Sequence, residues 1–475
     1  MTEVLNRLAF HANNSPDQIA YTIKNNNITY GELYLKSCTY AEYLKRQGCG
    51  PVMLVGHKEI EFFIGIFACM IAQRAYIPID ISIPKERIQK IISSTGTDLI
   101  ISSDSDFSLS GEKVLRLANL NKFANNSIHT SDNSTAYIIF TSGSTGEPKG
   151  VPISYENLDN FAAWISGIEP LNQYKNITVL NQALFSFDLS VADIYYAIFN
   201  GHTLAALDRQ DIAGFDTVFA TISEKKPSVM VVTPTFAKLC LTDKDFCHEH
   251  FPFIKCIYFC GEVLENSTVK KLFSRFPNIK IINAYGPTEA TSAVSAILIT
   301  DNMANDYSPL PVGEIGKFAT DIEIYDDEIV LKGKSVFSGY TNSLAGGHFV
   351  ENGVNCYKTG DNGKIENGFL YCLGRRDRQV KLNGYRVELD EIESRIDEVE
   401  GVTACAVVPL YSQSGKLRKI SAFVCGNTDA NNIRNDLRQS LPSYMIPTKI
   451  DIVDKLSINR NGKIDRKALA RNEKY

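Results

Sequence analysis

The lengths of the apolar runs along the chain predict its strands and helices. The short apolar runs "MLVGH" and "AYIPID" have the length of buried strands, and the longer segment "EFFIGIFACMIAQ" between them has the length of a helix. Upstream, Thr29 and Glu32 have the spacing of a capping box, which predicts a helix running to about Gln47. The order strand, helix, strand indicates a parallel sheet covered by helices.

The same pattern continues through most of the chain. Apolar runs in "SVMVVTP", "KCIYFCG" and "IKIINAYG" predict further strands, each followed by turn or helix signals, and the polar tract Asn121–Thr135 predicts a loop. Loops at the carboxyl ends of parallel strands are where α/β proteins bind ligands. We therefore expect an α/β fold with a large N-terminal domain of parallel and mixed sheets flanked by helices.

The pattern changes near Asp377. The charged segment "GRRDRQVKLNGYRVE" leads into an amphipathic helix, Glu388–Val399, which is followed by two alternating strands, another helix and a basic segment. A chain of 475 residues is also longer than a single domain usually is. We predict one domain of residues 1–376 and a small C-terminal α+β domain of residues 377–475.

The composition narrows the possible functions. A net charge of −5 gives no general attraction to nucleic acid or to acidic lipid. The longest apolar run, Phe62–Ala72, has 11 residues and is too short to span a bilayer, so we expect no membrane insertion. The eleven cysteines have no repeated spacing and many lie in apolar segments, which favours reduced thiols and a cytoplasmic protein.

A glycine-rich loop, Thr141–Gly150 ("TSGSTGEPKG"), follows an apolar run and precedes the predicted helix Ser154–Ile165. Such a loop can present several backbone N–H groups to an anion. It is not the P-loop of an ATPase, because Pro148 stands where the second glycine of that motif belongs and has no N–H. The position of the loop predicts phosphate binding, and a surface linker is the alternative.

Six motifs follow one another in a single order: "TSGSTGEPKG", "FSFDLS", "NAYGPTEA", "YKTGD", "GRRDRQVKLNGYRVE" and "NGKIDRKAL". Together they resemble the adenylate-forming superfamily, specifically the amino-acid adenylation enzymes of nonribosomal peptide synthesis, over essentially the whole chain. The segments "GHKEIEFFIG" and "FCGEVL" are most similar to the stand-alone D-alanine–carrier protein ligases. The resemblance implies that an amino acid carboxylate attacks the α-phosphate of Mg²⁺-bound ATP. The phosphopantetheine thiol of a carrier protein then attacks the adenylate.

The resemblance also implies which residues bind ATP. The glycine-rich loop would hold the β- and γ-phosphates, Tyr285 would stack on adenine, and Asp361 would accept the ribose hydroxyls with help from Arg375. A half-buried sheet aromatic and a solvated loop aspartate are the alternatives for Tyr285 and Asp361. The full set of ATP-binding positions is Thr141, Ser142, Gly143, Ser144, Thr145, Gly146, Lys149, Asn283, Ala284, Tyr285, Gly286, Asp361 and Arg375.

By the same resemblance, Thr288 would reach the α-phosphate, Glu289 would hold Mg²⁺, and Lys463 would bridge the substrate carboxylate and the α-phosphate. Lys463 follows an Asn-Gly pair that predicts a tight turn; a solvated basic tail is the alternative. Asp377 matches the family hinge. Rotation about it would place Lys463 in the site for adenylation and withdraw it for thiol transfer.

Asp188 of "FSFDLS" matches the residue that binds the substrate α-ammonium in amino-acid-activating members. A carboxylate facing an apolar pocket needs a cationic partner, and a helix N-cap is the alternative. Ala192 and Ser292 stand where the D-alanine ligases have bulky aliphatic residues, so D-alanine is the default substrate and a larger amino acid the alternative. The other pocket positions are Leu189, Thr235, Tyr258, Cys260, Ala284 and Ala293.

Other functions conflict with particular residues. An acyl-CoA or aryl-acid ligase should lack Asp188, and a non-catalytic amino-acid or nucleotide sensor should have lost Lys463, Glu289 or Asp361. The cluster "CHEH" (Cys247–His250) has no second pair at zinc spacing, so we expect no metal there. Because no carrier domain follows "NGKIDRKAL", we expect the carrier protein to be a separate partner.

Overall fold

The computed structural model describes residues 2–116, 134–143, 147–212, 214–341, 346–382, 384–412, 417–458 and 464–472. Nearly all of the tract Asn121–Thr135, predicted as a loop, lies outside these residues. The chain divides into two compact units. The first comprises Met1–Ile81, Thr95–Ile139 and Val151–Gly374, and the second comprises Ser82–Ser94, Phe140–Gly150 and Arg375–Tyr475. The domain boundary and hinge at Asp377 stay predictions.

The elements alternate between strand and helix through most of the chain. The strands are β1 (Ile19–Ile23), β2 (Asn26–Thr29), β3 (Val52–Gly56), β4 (Tyr76–Asp80), β5 (Leu99–Ser102), β6 (Val114–Arg116), β7 (Thr135–Thr141), β8 (Lys149–Ser154), β9 (Thr178–Asn181), β10 (Thr203–Ala206), β11 (Val229–Val232), β12 (Cys256–Phe259), β13 (Lys280–Tyr285), β14 (Ser295–Ile299), β15 (Gly313–Glu314), β16 (Asp321–Tyr325), β17 (Glu328–Lys332), β18 (His348–Glu351), β19 (Val354–Glu366), β20 (Phe369–Arg375), β21 (Gln379–Leu382), β22 (Tyr385–Glu388), β23 (Val402–Tyr411), β24 (Leu417–Gly426) and β25 (Lys449–Ile452). The helices are α1 (Glu3–Asn14), α2 (Tyr30–Lys45), α3 (Ile60–Ile71), α4 (Lys85–Thr95), α5 (Tyr155–Gly167), α6 (Leu189–Asn200), α7 (Arg209–Ile212), α8 (Phe215–Lys225), α9 (Pro234–Cys240), α10 (Asn266–Arg275), α11 (Asp301–Asp306), α12 (Leu389–Asp397), α13 (Ala430–Ser440) and α14 (Arg466–Asn472).

The first unit is built on two helix-covered sheets and one further sheet. The largest has the strand order β14-β13-β12-β11-β9-β10-β1-β2 and is parallel except at its two edge strands. The second has the order β6-β5-β3-β4-β7-β8, and the third, mostly antiparallel, has the order β15-β20-β19-β17-β16 with β18 beside β19. The predicted α/β class with parallel and mixed sheets is confirmed.

Local sequence signals account for several of these elements. The Thr29 side chain accepts from the Glu32 N–H while the Glu32 side chain caps Thr29, so the predicted capping box opens α2. Ser154 caps α5 in the same way with Asn157. Helix α3 has apolar residues on all its faces and is buried along most of its length, as expected of a helix inside a core. Among the described residues, no helix is long and apolar enough to span a membrane.

The C-terminal part of the second unit has its own hydrophobic core. Strands β21 and β22 form a hairpin, and β23, β24 and β25 form a three-stranded sheet. Ile392 and Ile396 of α12 are fully buried in the same apolar cluster as Val407 and Leu437. This cluster confirms the predicted α+β character of the C-terminal region.

The turn that joins β13 to β14 is unusually tight. A Cβ at Gly286 would lie 2.5 Å from the Cα of Ala293, a backbone atom that cannot move aside. Thr291 and Ser292 have φ values of 60° and 72°, in the left-handed region that non-glycine residues rarely adopt. The Thr291 hydroxyl donates to the carbonyl of Ser335 and holds this backbone in place.

We predict that Gly286→Ala destabilises the protein by about 1–3 kcal/mol, because the new methyl group overpacks the turn. Gly167→Ala is the matched control, since a Cβ there would meet nothing within 4 Å. Urea unfolding followed by circular dichroism measures both. Equal stability of the two variants would contradict the close approach of Gly286 to Ala293.

Candidate active site

Three predicted site residues lie at the end of β13 and in the turn that follows it. Tyr285 ends β13, and Thr288 and Glu289 lie in the 3₁₀ turn Thr288–Ala290. All three are buried, with 6%, 6% and 0% of their surface exposed. Each side chain hydrogen-bonds a residue from a distant part of the first unit.

The Tyr285 hydroxyl donates to Oδ2 of Asp361 at 2.7 Å. Asp361 lies in β19 and is itself buried. Burial raises the pKa of Tyr285, and the Asp361 charge raises it further, so the phenol keeps its proton. The structure thus brings together the residues predicted for adenine and for ribose.

The Thr288 hydroxyl donates to Oδ2 of Asp188 at 2.5 Å. Asp188 stands at the N-cap position of α6, yet its side chain makes no capping hydrogen bond. The N-cap alternative for Asp188 therefore does not describe this carboxylate. A further neighbour is Tyr137, whose pKa is raised by burial first and then by the charges of Tyr195 and Asp188.

Glu289 is held by an aromatic residue that the sequence did not indicate. The Tyr340 hydroxyl donates to Oε1 of Glu289 at 2.7 Å and lies 3.4 Å from the Tyr357 hydroxyl. The backbone N–H of Phe337 donates to the Glu289 carbonyl. No spacing signal links Tyr340 to Glu289, because 51 residues separate them.

The donor set at Glu289 fits Mg²⁺. This ion prefers carboxylate oxygens and is commonly bound by one or two carboxylates together with substrate phosphates. In the part of the chain that the structure describes, no cluster of three or more His, Cys, Asp or Glu residues could hold a metal by itself. A magnesium ion here would depend on the substrate phosphates for its other ligands.

Most of the predicted pocket residues lie in one apolar cluster. Cys260 Sγ lies 3.9 Å from the carbonyl oxygen of Ser292. Thr235, at the start of α9, is only half-buried, and its backbone N–H donates to Glu262. The pocket positions that share the cluster are Leu189, Ala192, Tyr258, Cys260, Ala284 and Ala293.

Two hydroxyl groups at these positions are buried without a partner among the described residues. They are the Oγ of Ser292 and the phenol oxygen of Tyr258. A buried polar group without a hydrogen bond is costly and requires an explanation. The polar Ser292 predicted from the sequence is thus placed in the interior, at 2% exposure.

The start of the glycine-rich loop belongs to the second unit. Thr141, Ser142 and Lys149 are buried, and the hydroxyl of Thr141 has no partner among the described residues. The Ser142 hydroxyl donates to the Arg386 carbonyl at 3.0 Å and accepts from the Glu388 N–H at 3.2 Å. A Cβ at Gly143 would lie 2.1 Å from the Glu147 carbonyl oxygen, so the fold of the loop requires glycine there.

Some predicted residues are engaged elsewhere or not described. Arg375 Nε donates to Asp377 at 2.9 Å; although burial opposes it, the hydrogen bonds and charge of Arg375 lower the pKa of Asp377. The Asn283 amide donates to the Pro311 carbonyl at 2.8 Å. The predicted residues that lie outside the described ones are Ser144, Thr145, Gly146 and Lys463.

Comparison with known proteins identifies the class. A model of the AMP-binding enzyme family matches residues 8–341, and one of the AMP-binding enzyme C-terminal domain matches residues 391–463. The chain belongs to the AMP-binding enzyme family, as the six motifs predicted, and enzymes of this adenylate-forming family use ATP.

Curated relatives extend along the whole chain. The D-alanine–D-alanyl carrier protein ligase of Bacillus licheniformis is 36% identical over 490 residues, covering 97% of each chain. The enzyme of the same name from Staphylococcus epidermidis is 36% identical over 483 residues, covering 99% of each.

Solved structures share the fold. An adenylation domain from Vibrio cholerae, in complex with glycyl-adenosine-5′-phosphate, has a TM-score of 0.85 at 24% identity and covers 99% of this chain and 98% of that one. A nonribosomal peptide synthetase protein containing adenylation and carrier domains also has a TM-score of 0.85, at 22% identity, over 99% of this chain and 84% of that one.

We predict that Tyr340→Phe lowers the free energy of unfolding by about 1–3 kcal/mol, because the buried Glu289 carboxylate loses a hydrogen-bond donor. Tyr325→Phe is the control, since Tyr325 is 61% exposed. Chemical unfolding in the absence of nucleotide and metal measures the difference. A stability of Tyr340→Phe equal to that of Tyr325→Phe would contradict the role of Tyr340 in holding Glu289.

Proposed function

We propose that this protein activates an amino acid with ATP as an aminoacyl-adenylate and transfers the aminoacyl group to the phosphopantetheine thiol of a carrier protein, with D-alanine as the default substrate. The observation that carries the proposal is the half-buried Asp188 carboxylate, whose side chain makes no capping hydrogen bond and which directly precedes Leu189 of the apolar cluster that contains most pocket positions. Such a carboxylate is suited to the α-ammonium group of an amino acid. The full-length similarity to D-alanine–D-alanyl carrier protein ligases supports it.

The reaction has two steps. An oxygen of the substrate carboxylate forms a bond to the α-phosphorus while the bond from that phosphorus to the β-phosphate oxygen breaks, and pyrophosphate leaves. The sulfur of the carrier thiol then forms a bond to the acyl carbon while the bond from that carbon to the phosphate oxygen breaks. AMP leaves with that oxygen, and the thiol proton passes to solvent. Positioning and charge stabilisation are the protein's main contributions to such phosphoryl chemistry.

Thr288 connects the amino acid with the phosphate. Its hydroxyl has one proton, which is donated to Asp188 in the structure. A Thr288 that donates to the α-phosphate must therefore give up Asp188, and the substrate ammonium can replace it there. Binding of the amino acid would in this way release a donor for the phosphate that its carboxylate attacks.

The remaining residues orient the nucleotide and neutralise its charge. Tyr285 and Asp361 would hold adenosine, and the loop beginning at Thr141 would hold the β- and γ-phosphates. Mg²⁺ bound to Glu289 and the phosphates would neutralise charge that develops on the leaving pyrophosphate. Lys463 would bridge the two reacting groups, with Asp377 as the hinge that brings it in.

The test is amino-acid-dependent ATP–pyrophosphate exchange across D- and L-amino acids, with benzoate and hexanoate as carboxylates without an ammonium group. We expect D-alanine or another amino acid to support exchange. Turnover of the two control acids alone would show that Asp188 does not bind an ammonium group. If none of the tested acids supported ATP–pyrophosphate exchange, the result would favour a non-catalytic sensor.

We predict that Lys463→Ala lowers the rate of exchange by about 10²–10³, as expected when one donor to the transition state is lost. Lys467→Ala is the matched control, because Lys467 is an exposed lysine four residues away. Its rate should match that of the unchanged protein. Equal rates for the two variants would remove Lys463 from the proposed mechanism.

A larger amino acid is the second candidate, and the size of Ala192 favours it. We predict that Ala192→Val lowers kcat/KM for amino acids larger than alanine by about tenfold or more relative to D-alanine. Ser292 is unsuitable for this test, since a β-branched residue at its φ of 72° would be strained.

Ala197→Val is the control for Ala192→Val. Ala197 lies on the same helix and, like Ala192, is fully buried. A variant that only disturbs packing should change all substrates alike. An unchanged substrate ratio in Ala192→Val would therefore place Ala192 outside the substrate pocket.

A further inference from the structure

The first donors of the glycine-rich loop are occupied by the segment that follows the predicted hinge. The Gly143 N–H donates to Oε2 of Glu391 at 3.2 Å. Beside it, the Ser142 hydroxyl is bonded to the backbone of Arg386 and Glu388. All of these residues belong to the second unit. A carboxylate of α12 thus lies at a loop whose composition predicts anion binding.

Glu391 is held there by a buried ion pair. Arg87 of α4 donates from Nη1 to Oε1 of Glu391 at 2.5 Å. The side chain of Arg87 is 7% exposed and that of Glu391 is 0% exposed. One carboxylate oxygen therefore faces the guanidinium and the other faces the loop amide. Both contacts are hydrogen bonds to a carboxylate, which are stronger than hydrogen bonds between neutral groups.

Two outer ion pairs surround the same contact. Lys90 Nζ lies 3.1 Å and Arg395 Nη2 lies 3.4 Å from Oε1 of Glu147, a loop residue. These side chains are more exposed than Glu391, so their contribution to stability is small. The buried pair of Arg87 and Glu391 is the specific part of the arrangement.

We propose that Glu391 is a built-in competitor for the anion site of the glycine-rich loop, so that docking of Glu391 and binding of pyrophosphate exclude each other. The proposal rests on the proposed function in one respect, namely that the loop holds the phosphates of ATP. The Gly143 N–H has one proton to donate, and a phosphate oxygen in its place would lie against the Glu391 carboxylate. Like charges at contact distance in a buried site repel strongly.

This competition sets an order of events. While pyrophosphate occupies the loop, Glu391 and the amide of Glu388 are displaced from Gly143 and Ser142. When pyrophosphate leaves, the carboxylate returns to Arg87 and Gly143. Glu391 and Arg87 are then positioning residues. They allow residues 384–391 to dock only after pyrophosphate has been released, and thiol transfer follows that docking.

Amide hydrogen exchange of the full-length protein tests the competition directly, because the Glu388 N–H is itself bonded to Ser142. Saturating inorganic pyrophosphate should speed exchange of the Glu388 amide by about tenfold, whereas sodium chloride of equal ionic strength should not. In Glu391→Gln, the Glu388 amide should exchange its hydrogen fast without pyrophosphate, and adding pyrophosphate should change that rate little. Glu398→Gln, an exposed position at the end of α12, should behave like the unchanged protein.

An unchanged Glu388 amide in the native protein at saturating pyrophosphate would overturn the proposal, even if Glu391→Gln does not fold. A Glu391→Gln variant that folds and responds like Glu398→Gln would overturn it as well. A structural role alone would lower stability without removing the response to pyrophosphate.

The ratio of carrier aminoacylation to ATP–pyrophosphate exchange gives a second readout, and we expect it to fall about tenfold in Glu391→Gln. The two proposals fail differently. If the native protein shows no amino-acid-dependent ATP–pyrophosphate exchange but its Glu388 amide still responds to pyrophosphate, the proposed function is rejected and the competition is kept. If ATP–pyrophosphate exchange is normal but the Glu388 amide does not respond to pyrophosphate, only the competition is rejected.

Discussion

The turn between β13 and β14 is the constraint on which the candidate site depends. Gly286 has no space for a side chain, and Thr291 and Ser292 hold a left-handed backbone that costs about 1–3 kcal/mol at each position. In return, the chain reverses over a few residues. Tyr285, Thr288 and Glu289 can then reach Asp361, Asp188 and Tyr340, which lie 76, 100 and 51 residues away in the sequence.

The architecture follows from the sequence because its signals are local. The capping box at Thr29 and the apolar run of α3 depend on spacing alone, and both elements occur where predicted. The pairing of Glu289 with Tyr340 has no such signal, since it depends on where β13 and the segment after β17 meet in space. A sequence can show that a buried carboxylate needs a donor, but not which residue provides it.

Glu391 shows the same limit more sharply. It lies in the first turn of α12, where acidic side chains are common because they interact favourably with the helix dipole. That explanation is sufficient for the sequence, and it predicts an exposed residue. In the structure Glu391 is fully buried, and Arg87 and the Gly143 amide contact it from other parts of the second unit.

Two contacts, one in each unit, follow a common principle. Thr288 and Gly143 are the donors that the proposed function assigns to the α-phosphate and to pyrophosphate, and each donates to a carboxylate of the protein itself. Substrate binding at such donors exchanges one acceptor for another, so its net gain per hydrogen bond is small. What the exchange provides is order. In the proposed mechanism, a carboxylate that has lost its donor becomes available to another partner: Asp188 would bind the substrate ammonium group, and Glu391 would return to Gly143 once pyrophosphate has left.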